Sequence, residues 1–232
     1  MAISIIIPVL NEEKLLIPLL DRILHCQGVT EVILADGGST DRTLDIARDY
    51  SLKTIECGES HRAKQMNLGA SVATGEILYF LHADALPPER FCTDILSFIT
   101  SGYDMGSFRL QLGSPGKSLK AINSFFTKIN WLLFQGGGDK SLFIRKTVFR
   151  EMNGYDESYS IMEDFEFVRR ARSKKLKWIT LDQPIMVSDR KYQYNNFFKV
   201  QLANLLAYTA FKYGISPRRI KHWYNILITS HH

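Results

Sequence analysis

Cysteine is scarce: Cys26, Cys57 and Cys92 are scattered and none belongs to a C-x-x-C pair. That excludes a disulfide framework and a zinc knuckle, and makes a reducing cytoplasm the simplest setting. Neither G-x-G-x-x-G nor G-x-x-x-x-G-K-[ST] occurs, which weighs against a dinucleotide-dependent dehydrogenase and a P-loop kinase. His61, His82 and His222 have no metal-ligand spacing, so a zinc enzyme is not expected, and the terminal His231-His232 pair carries no weight as a site. Long apolar runs are missing too. The stretch from Met1 to Pro8 has no basic leader and falls far short of the ~20 residues that span a bilayer. It reads as a buried strand, and the expectation is a cytoplasmic protein without a cleavable signal. No Pro-, Ser- or Gln-rich tract interrupts the chain, so order is expected nearly throughout.

What remains is ordinary globular material: 232 residues, 45% hydrophobic and 23% charged, enough for one sizeable core. The formal charge of +5 suits a phosphate-bearing small substrate or an anionic membrane surface at least as well as nucleic acid. Strands are expected at Ile3 to Val9, Val32 to Ala35, Lys53 to Glu56 and Ile77 to Leu81. Between them fall helices built on Leu15, Leu16, Leu19, Leu20, Ile23 and Leu24, on a segment ending at Tyr50 and capped by Ser39 or Thr40, and on His61 to Ala73. Another helix is expected from Pro87-Pro88. This alternation predicts a mostly parallel sheet with helices on both faces, whose ligands sit beyond the carboxyl ends of the strands. Asn11, Asp36 and Asp84 all fall at such ends. The second half predicts strands at Gly106 to Leu112 and Leu142 to Ile144, and helices at Leu119 to Phe134, from Lys146 to Asn153-Gly154, and from Glu163 to Lys174. Without repeats or a linker, residues 1–195 read as one domain and 196–232 as a helical extension packed on it.

Single residues here have bland readings beside functional ones. Asp84 past a buried strand is often only a turn residue, yet an exposed carboxylate there can hold Mg²⁺ or Mn²⁺ bridging two phosphates. Glu163 and Asp164 at a helix start suit the dipole, and either carboxylate turned to the crevice would serve as a general base. Arg62, Lys64 and Arg190 are candidates for neutralising phosphate charge. The triglycine before Asp139 permits close backbone approach to a ligand.

Taken in order, the motifs resemble the family-two glycosyltransferases, which are inverting and have a GT-A fold. Ile5-Ile6-Ile7-Pro8-Val9-Leu10-Asn11-Glu12 resembles the opening strand and loop that receive the nucleotide. Asp36-Gly37-Gly38-Ser39-Thr40-Asp41 is similar to the loop that contacts the base. Gln65-Met66-Asn67-Leu68-Gly69, Ala73-Thr74-Gly75-Glu76 and Phe80-Leu81-His82-Ala83-Asp84 resemble the run into the D-x-D metal motif, and Asn153-Gly154-Tyr155-Asp156-Glu157 with Glu163-Asp164-Phe165-Glu166 the acceptor loop and catalytic E-D pair.

The resemblance implies a UDP-sugar donor, single displacement with inversion, Asp164 as base and Mn²⁺ or Mg²⁺ on Asp84. It places Pro8, Asn11, Glu12, Asp36, Gly37, Arg62, Lys64, Asn67 and His82 on the nucleotide-sugar, and Gly138, Asp139, Glu163 and Arg190 on the acceptor side. Two departures stand out. His82 replaces the first Asp of D-x-D, as in compact bacterial members with an H-A-D motif, and Met66 stands where Arg is common. The acceptor is expected to be a carbohydrate, a lipid-linked sugar or a small molecule, with no nucleic acid. The aromatic and basic segment from Asn196 to Tyr224 is a candidate membrane or homodimer face. The competing reading is a binding module or membrane-surface adaptor that has lost turnover.

Overall fold

The computed structural model describes residues 1–113 and 141–228; the expected helix at Leu119 to Phe134, Gly138 and Asp139 fall outside them. The elements are β1 (Ile3–Val9), α1 (Glu13–Ile23), β2 (Val29–Asp36), α2 (Thr43–Asp49), β3 (Lys53–Glu56), α3 (Arg62–Val72), β4 (Ile77–Leu81), β5 (Ala85–Leu86) and α4 (Phe91–Thr100). Then come β6 (Met105–Leu112), β7 (Ser141–Arg145), α5 (Lys146–Glu151), α6 (Glu163–Ser173), β8 (Trp178–Val187), α7 (Arg190–Tyr194), α8 (Phe197–Lys212) and α9 (Pro217–Leu227). They form one eight-stranded sheet in the order β3-β2-β1-β4-β7-β6-β8-β5.

The first half is parallel: β1 pairs with β2 and β4, and β2 with β3. Beyond it, β7 is antiparallel to both β4 and β6, while β6 and β8 run parallel. Two reversals restore direction, so β1, β2, β3, β4, β6 and β8 all end on the same edge. Mostly parallel therefore holds for the N-terminal half, and the whole sheet is mixed.

Strand alternation sorts the core into two layers. Ile5, Ile7 and Val9 join Leu16, Leu19 and Leu20 of α1, Ala47 of α2 and Phe91 and Ile95 of α4 on one face. Ile6 joins Met66 of α3, Phe149 of α5 and Phe167 of α6 on the other. Each fully buried large side chain contributes about 1.5–3 kcal/mol. Helix α3 sits unusually close to the sheet, because a Cβ on Gly69 would fall 2.5 Å from the Ile6 Cγ2. Its buried Gln65 amide donates to the carbonyls of Val9 (2.9 Å) and Ala35 (2.7 Å), tying the carboxyl ends of β1 and β2 together.

One expectation is corrected, and one element was not expected. Neither Ser39 nor Thr40 caps α2, which starts at Thr43 after Arg42 without a side-chain cap; both hydroxyl residues instead bind the first loop. Strand β8 is a new element. Its pairing with β6 skips from Leu181 to Pro184 opposite Phe108 and Arg109, and a bulge with a donor-less proline erases the alternation by which strands are read.

Glu31, on β2, shows how the amino ends of the strands are fixed. Burial would raise its pKa, but hydrogen bonds from Ser4 and Thr74 and the charge of Lys53 outweigh that and hold it at about 2. A depressed carboxylate stabilises the fold above its unfolded pKa and loses that contribution as pH falls through the folded value. Glu31→Ala is expected to cost about 2–3 kcal/mol at pH 7. In urea unfolding, the gap to wild type should close between roughly pH 4.5 and 2; a gap independent of pH would contradict this assignment.

At the C-terminal end, Ala207, Ala210, Phe211 and Ile220 of α8 and α9 pack on Tyr159, Ile161, Met162 and Phe165. No helix among the described residues is long and apolar enough to cross a membrane.

Candidate active site

The carboxyl edge begins with two interlocked loops. After β1, Asn11 adopts a positive φ of 53°. Its amide N–H donates to the Ser39 hydroxyl (2.9 Å), while its side-chain carbonyl accepts from the Thr40 N–H (2.8 Å). The Glu12 N–H donates to the Thr43 hydroxyl (2.8 Å), the Glu13 N–H donates to the Asp41 carboxylate (3.1 Å), and the Glu13 carboxylate accepts from the Arg42 N–H (3.1 Å) across the same seam. Asp36 is buried and accepts from the N–H groups of Gly38 (2.8 Å) and Ser39 and from the Ser39 hydroxyl, so it shapes the second loop. Gly37 donates its N–H to Val9 (2.9 Å) and passes so close to Ser60 that a Cβ would sit 3.0 Å from its Cα. Pro8 pairs with Ala35 at the same level of the sheet.

Arg190 closes this edge from the far half. Its guanidinium forms a bidentate pair with Glu12, 2.9 Å from Nη1 to Oε2 and 2.8 Å from Nη2 to Oε1, the strongest geometry such a pair can take. The Glu12 hydrogen bonds raise the pKa of Arg190, and the charge of Asp84 adds to the effect. Asp84 follows β4 in a turn in which the Ala85 N–H donates to the His82 carbonyl (3.1 Å). The Asp84 carbonyl accepts from the Ser188 N–H (2.8 Å), and Ala85 pairs with Val187. Arg190 was grouped by sequence with the acceptor side; the structure joins it to Glu12 and to the field of Asp84. Arg190→Ala would leave the Glu12 carboxylate, only 12% exposed, without its partner. It is expected to lower unfolding stability by about 1–2 kcal/mol, and an unchanged denaturation midpoint would contradict the pairing.

The other wall comes from α3 and α6. His61 caps α3 by accepting the Lys64 N–H at Nδ1 (3.4 Å), and Lys64 reaches Glu59 (2.8 Å). Arg62 lies 3.8 Å from Glu163 Oε1, which brings the first turn of α6 to the edge where Gln65 fixes α3. Glu163 is 2% exposed, and its Oε2 is buried with no hydrogen-bond partner among the described residues. Asp164 is half-buried, with Oδ1 accepting the Phe165 N–H (2.9 Å). Met162, immediately before the pair, has φ 68°, a backbone strain of the kind that gathers at working sites. Burial pushes the Tyr155 phenol well up, and the carboxylates of Asp164 and Glu163 add to it.

Asn67, expected on the nucleotide-sugar, is engaged by the acceptor-side loop. Its amide donates to the Tyr155 carbonyl (2.9 Å) and to Glu157 (3.0 Å) and accepts from the Tyr155 N–H (2.9 Å). Gly154 has φ 65°, and a Cβ there would fall 2.6 Å from Asn67 Oδ1, so this turn requires glycine. Arg170, which sequence reasoning missed, donates to Glu166 (2.7 Å) and to the Gly154 carbonyl (2.8 Å). The signal was available as a Glu and an Arg four residues apart on one helix face.

Among the described residues no three His, Cys, Asp or Glu side chains gather to hold a metal. Asp84, with His82 two residues before it, supplies too few ligands for a resident ion. One carboxylate with substrate phosphates is nevertheless a donor set that Mg²⁺ and Mn²⁺ accept, so the residues fit a metal arriving with a diphosphate.

Comparison with known proteins agrees with this architecture. A PGL/p-HBAD biosynthesis glycosyltransferase of Mycobacterium tuberculosis is 31% identical over 174 residues, 71% of this chain and 67% of that one. Staphylococcus aureus TarS 1–349 in complex with UDP-GlcNAc superposes with a TM-score of 0.67 at 20% identity, over 98% of this chain and 70% of the other. A second structure of that TarS fragment matches over 89% of this chain and 64% of its own length, so there the chain spans less than two thirds of its relative. The mannosyltransferase PcManGT of Pyrobaculum calidifontis, in complex with GDP-Man and Mn²⁺, gives a TM-score of 0.71 at 19% identity, over 97% of this chain and 69% of the other. These two show the shared fold. Residues 4–154 match the family described as Glycosyl transferase family 2, and with the mycobacterial likeness this establishes that the chain belongs to that family.

Proposed function

We propose that the chain moves a sugar from a nucleotide-sugar, with UDP as the carrier, to an acceptor hydroxyl by a single displacement that inverts the anomeric centre. The observation that carries this reading is the convergence on one sheet edge of the Asn11–Glu12 loop, the Asp36 loop, Asp84, Arg190 and the first turn of α6. In this reading Pro8, Asn11, Glu12, Asp36 and Gly37 shape the nucleoside cradle, and Arg62, Lys64, Asn67 and His82 border the diphosphate and sugar. Asp84 and the diphosphate together hold Mn²⁺ or Mg²⁺, as the Mn²⁺ complex of PcManGT suggests. Its charge when bound would stabilise the departing diphosphate.

Asp164, in the first turn of α6, takes the proton of the attacking hydroxyl. Glu163 orients Arg62 and borders the acceptor. No protonating acid is required, because a nucleoside diphosphate leaves readily without one.

Residues 1–195 carry this chemistry, and 196–228 form an extension that meets an anionic membrane surface. Phe198 (64%), Leu202 (52%), Ile226 (68%) and Trp223 (46%) are exposed, and no Asp or Glu occurs after Asp189. Exposed apolar rings beside unopposed cations are the composition of an interfacial helix pair.

The test is a panel of UDP- and GDP-sugars with Mn²⁺, followed by release of the nucleoside diphosphate and by NMR of the product's anomeric proton. Turnover of a UDP-sugar with inversion supports the proposal. Turnover of GDP-sugars alone, or retention, overturns the donor or the stereochemical assignment respectively.

A further inference from the structure

A second feature stands on the same edge, beside the proposed catalytic turn. An open depression of about 430 Å³ is lined by His61, Ser158, Ser160, Arg218, Lys221, His222 and Asn225. Arg218, Lys221 and the two imidazoles supply positive charge or N–H donors, the serines and Asn225 supply further donors, and no carboxylate is among the described residues that line it. Accepting the Lys64 N–H at Nδ1 requires the neutral His61 ring to carry its proton on Nε2. The amino ends of α3 and α9 both open here, since His61 caps one and Arg218 is the second residue of the other, so two helix dipoles add to the side chains. Glu59, which feels the charges of His61 and Lys221, is bonded to Lys64, chiefly through which its pKa is lowered.

Position gives the depression a use. Ser160 is four residues from Asp164, so at most about 14 Å of chain separates them, and His61 directly precedes the Arg62 that touches Glu163. The opposite side of α9 leads into apolar surface: Ile220, Trp223, Tyr224 and Leu227 face Ala203, Leu206 and Ala207 of α8 across a narrow cleft.

We propose that this depression is an anion subsite for a phosphate group carried by the acceptor, which it holds while the acceptor hydroxyl faces Asp164. The proposal rests on the glycosyl-transfer reading above. The phosphate could belong to a lipid headgroup, with its chains along the α8–α9 face, or to a soluble phosphomonoester; the recognising chemistry is shared.

Inorganic phosphate is the first probe, followed through the ring protons of His61 and His222 by NMR. Wild type should saturate. The Arg218→Ala/Lys221→Ala pair should bind at least ten-fold more weakly while titrating with UDP as wild type does. The control Lys199→Ala/Arg219→Ala removes as much charge outside the depression and should stay within two-fold of wild type. No saturable binding, an unaffected Arg218/Lys221 variant, or an equal loss in the control overturns the proposal. Failure of UDP to bind while phosphate does would instead count against the donor reading. Two arms then separate the sources. Displacement by glycerol 3-phosphate identifies a soluble acceptor. Flotation with phosphatidylcholine vesicles containing phosphatidate, lost in the Arg218/Lys221 variant, identifies a headgroup; neither response overturns the acceptor assignment.

Discussion

Asp164→Asn is expected to lower the rate of sugar transfer by about 10²–10⁴-fold, the range for removing a positioned general base, while leaving UDP affinity within two-fold of wild type. The amide is isosteric and keeps an oxygen to accept the Phe165 N–H, so the start of α6 should survive the change. What is lost is the capacity to take a proton. Glu163→Gln is a useful companion, since Glu163 is buried against Arg62 and its neutralisation disturbs the wall rather than the proton transfer. A loss of about 10²–10⁴-fold in Glu163→Gln, with Asp164→Asn nearly active, would reassign the base.

Asp84→Ala is expected to abolish the metal dependence of UDP binding. In wild type, affinity with Mn²⁺ should exceed affinity with EDTA by at least ten-fold, because a metal shared between one carboxylate and two phosphates is held mainly when both are present. In the variant the two affinities should coincide near the wild-type EDTA value. Full metal dependence in Asp84→Ala would place the ion elsewhere.

Much of the fold was legible because its signals are local. The β-branched run Ile3–Val9 and the apolar Ile77–Leu81 became central parallel strands, and the break after each placed Asn11 and Asp84 on the carboxyl edge. What escaped depended on distant partners. Strand β8 is interrupted by Pro184 and a bulge whose sense comes only from β6. Arg190 gains its meaning from Glu12, 178 residues away, and Asn67 from a loop 88 residues on. Gln65 shows the same limit: its spacing marks only a helix, whereas its bonds to Val9 and Ala35 make it the pin that holds two strand ends in register.

The most direct test of the central claim is isothermal titration of the wild-type protein with UDP and with GDP, each in Mn²⁺ and in EDTA. Saturable, metal-enhanced binding of UDP and weaker binding of GDP are expected. A folded protein that binds neither nucleotide under either condition would contradict it, and would favour a family member that has kept the sheet edge and lost its donor.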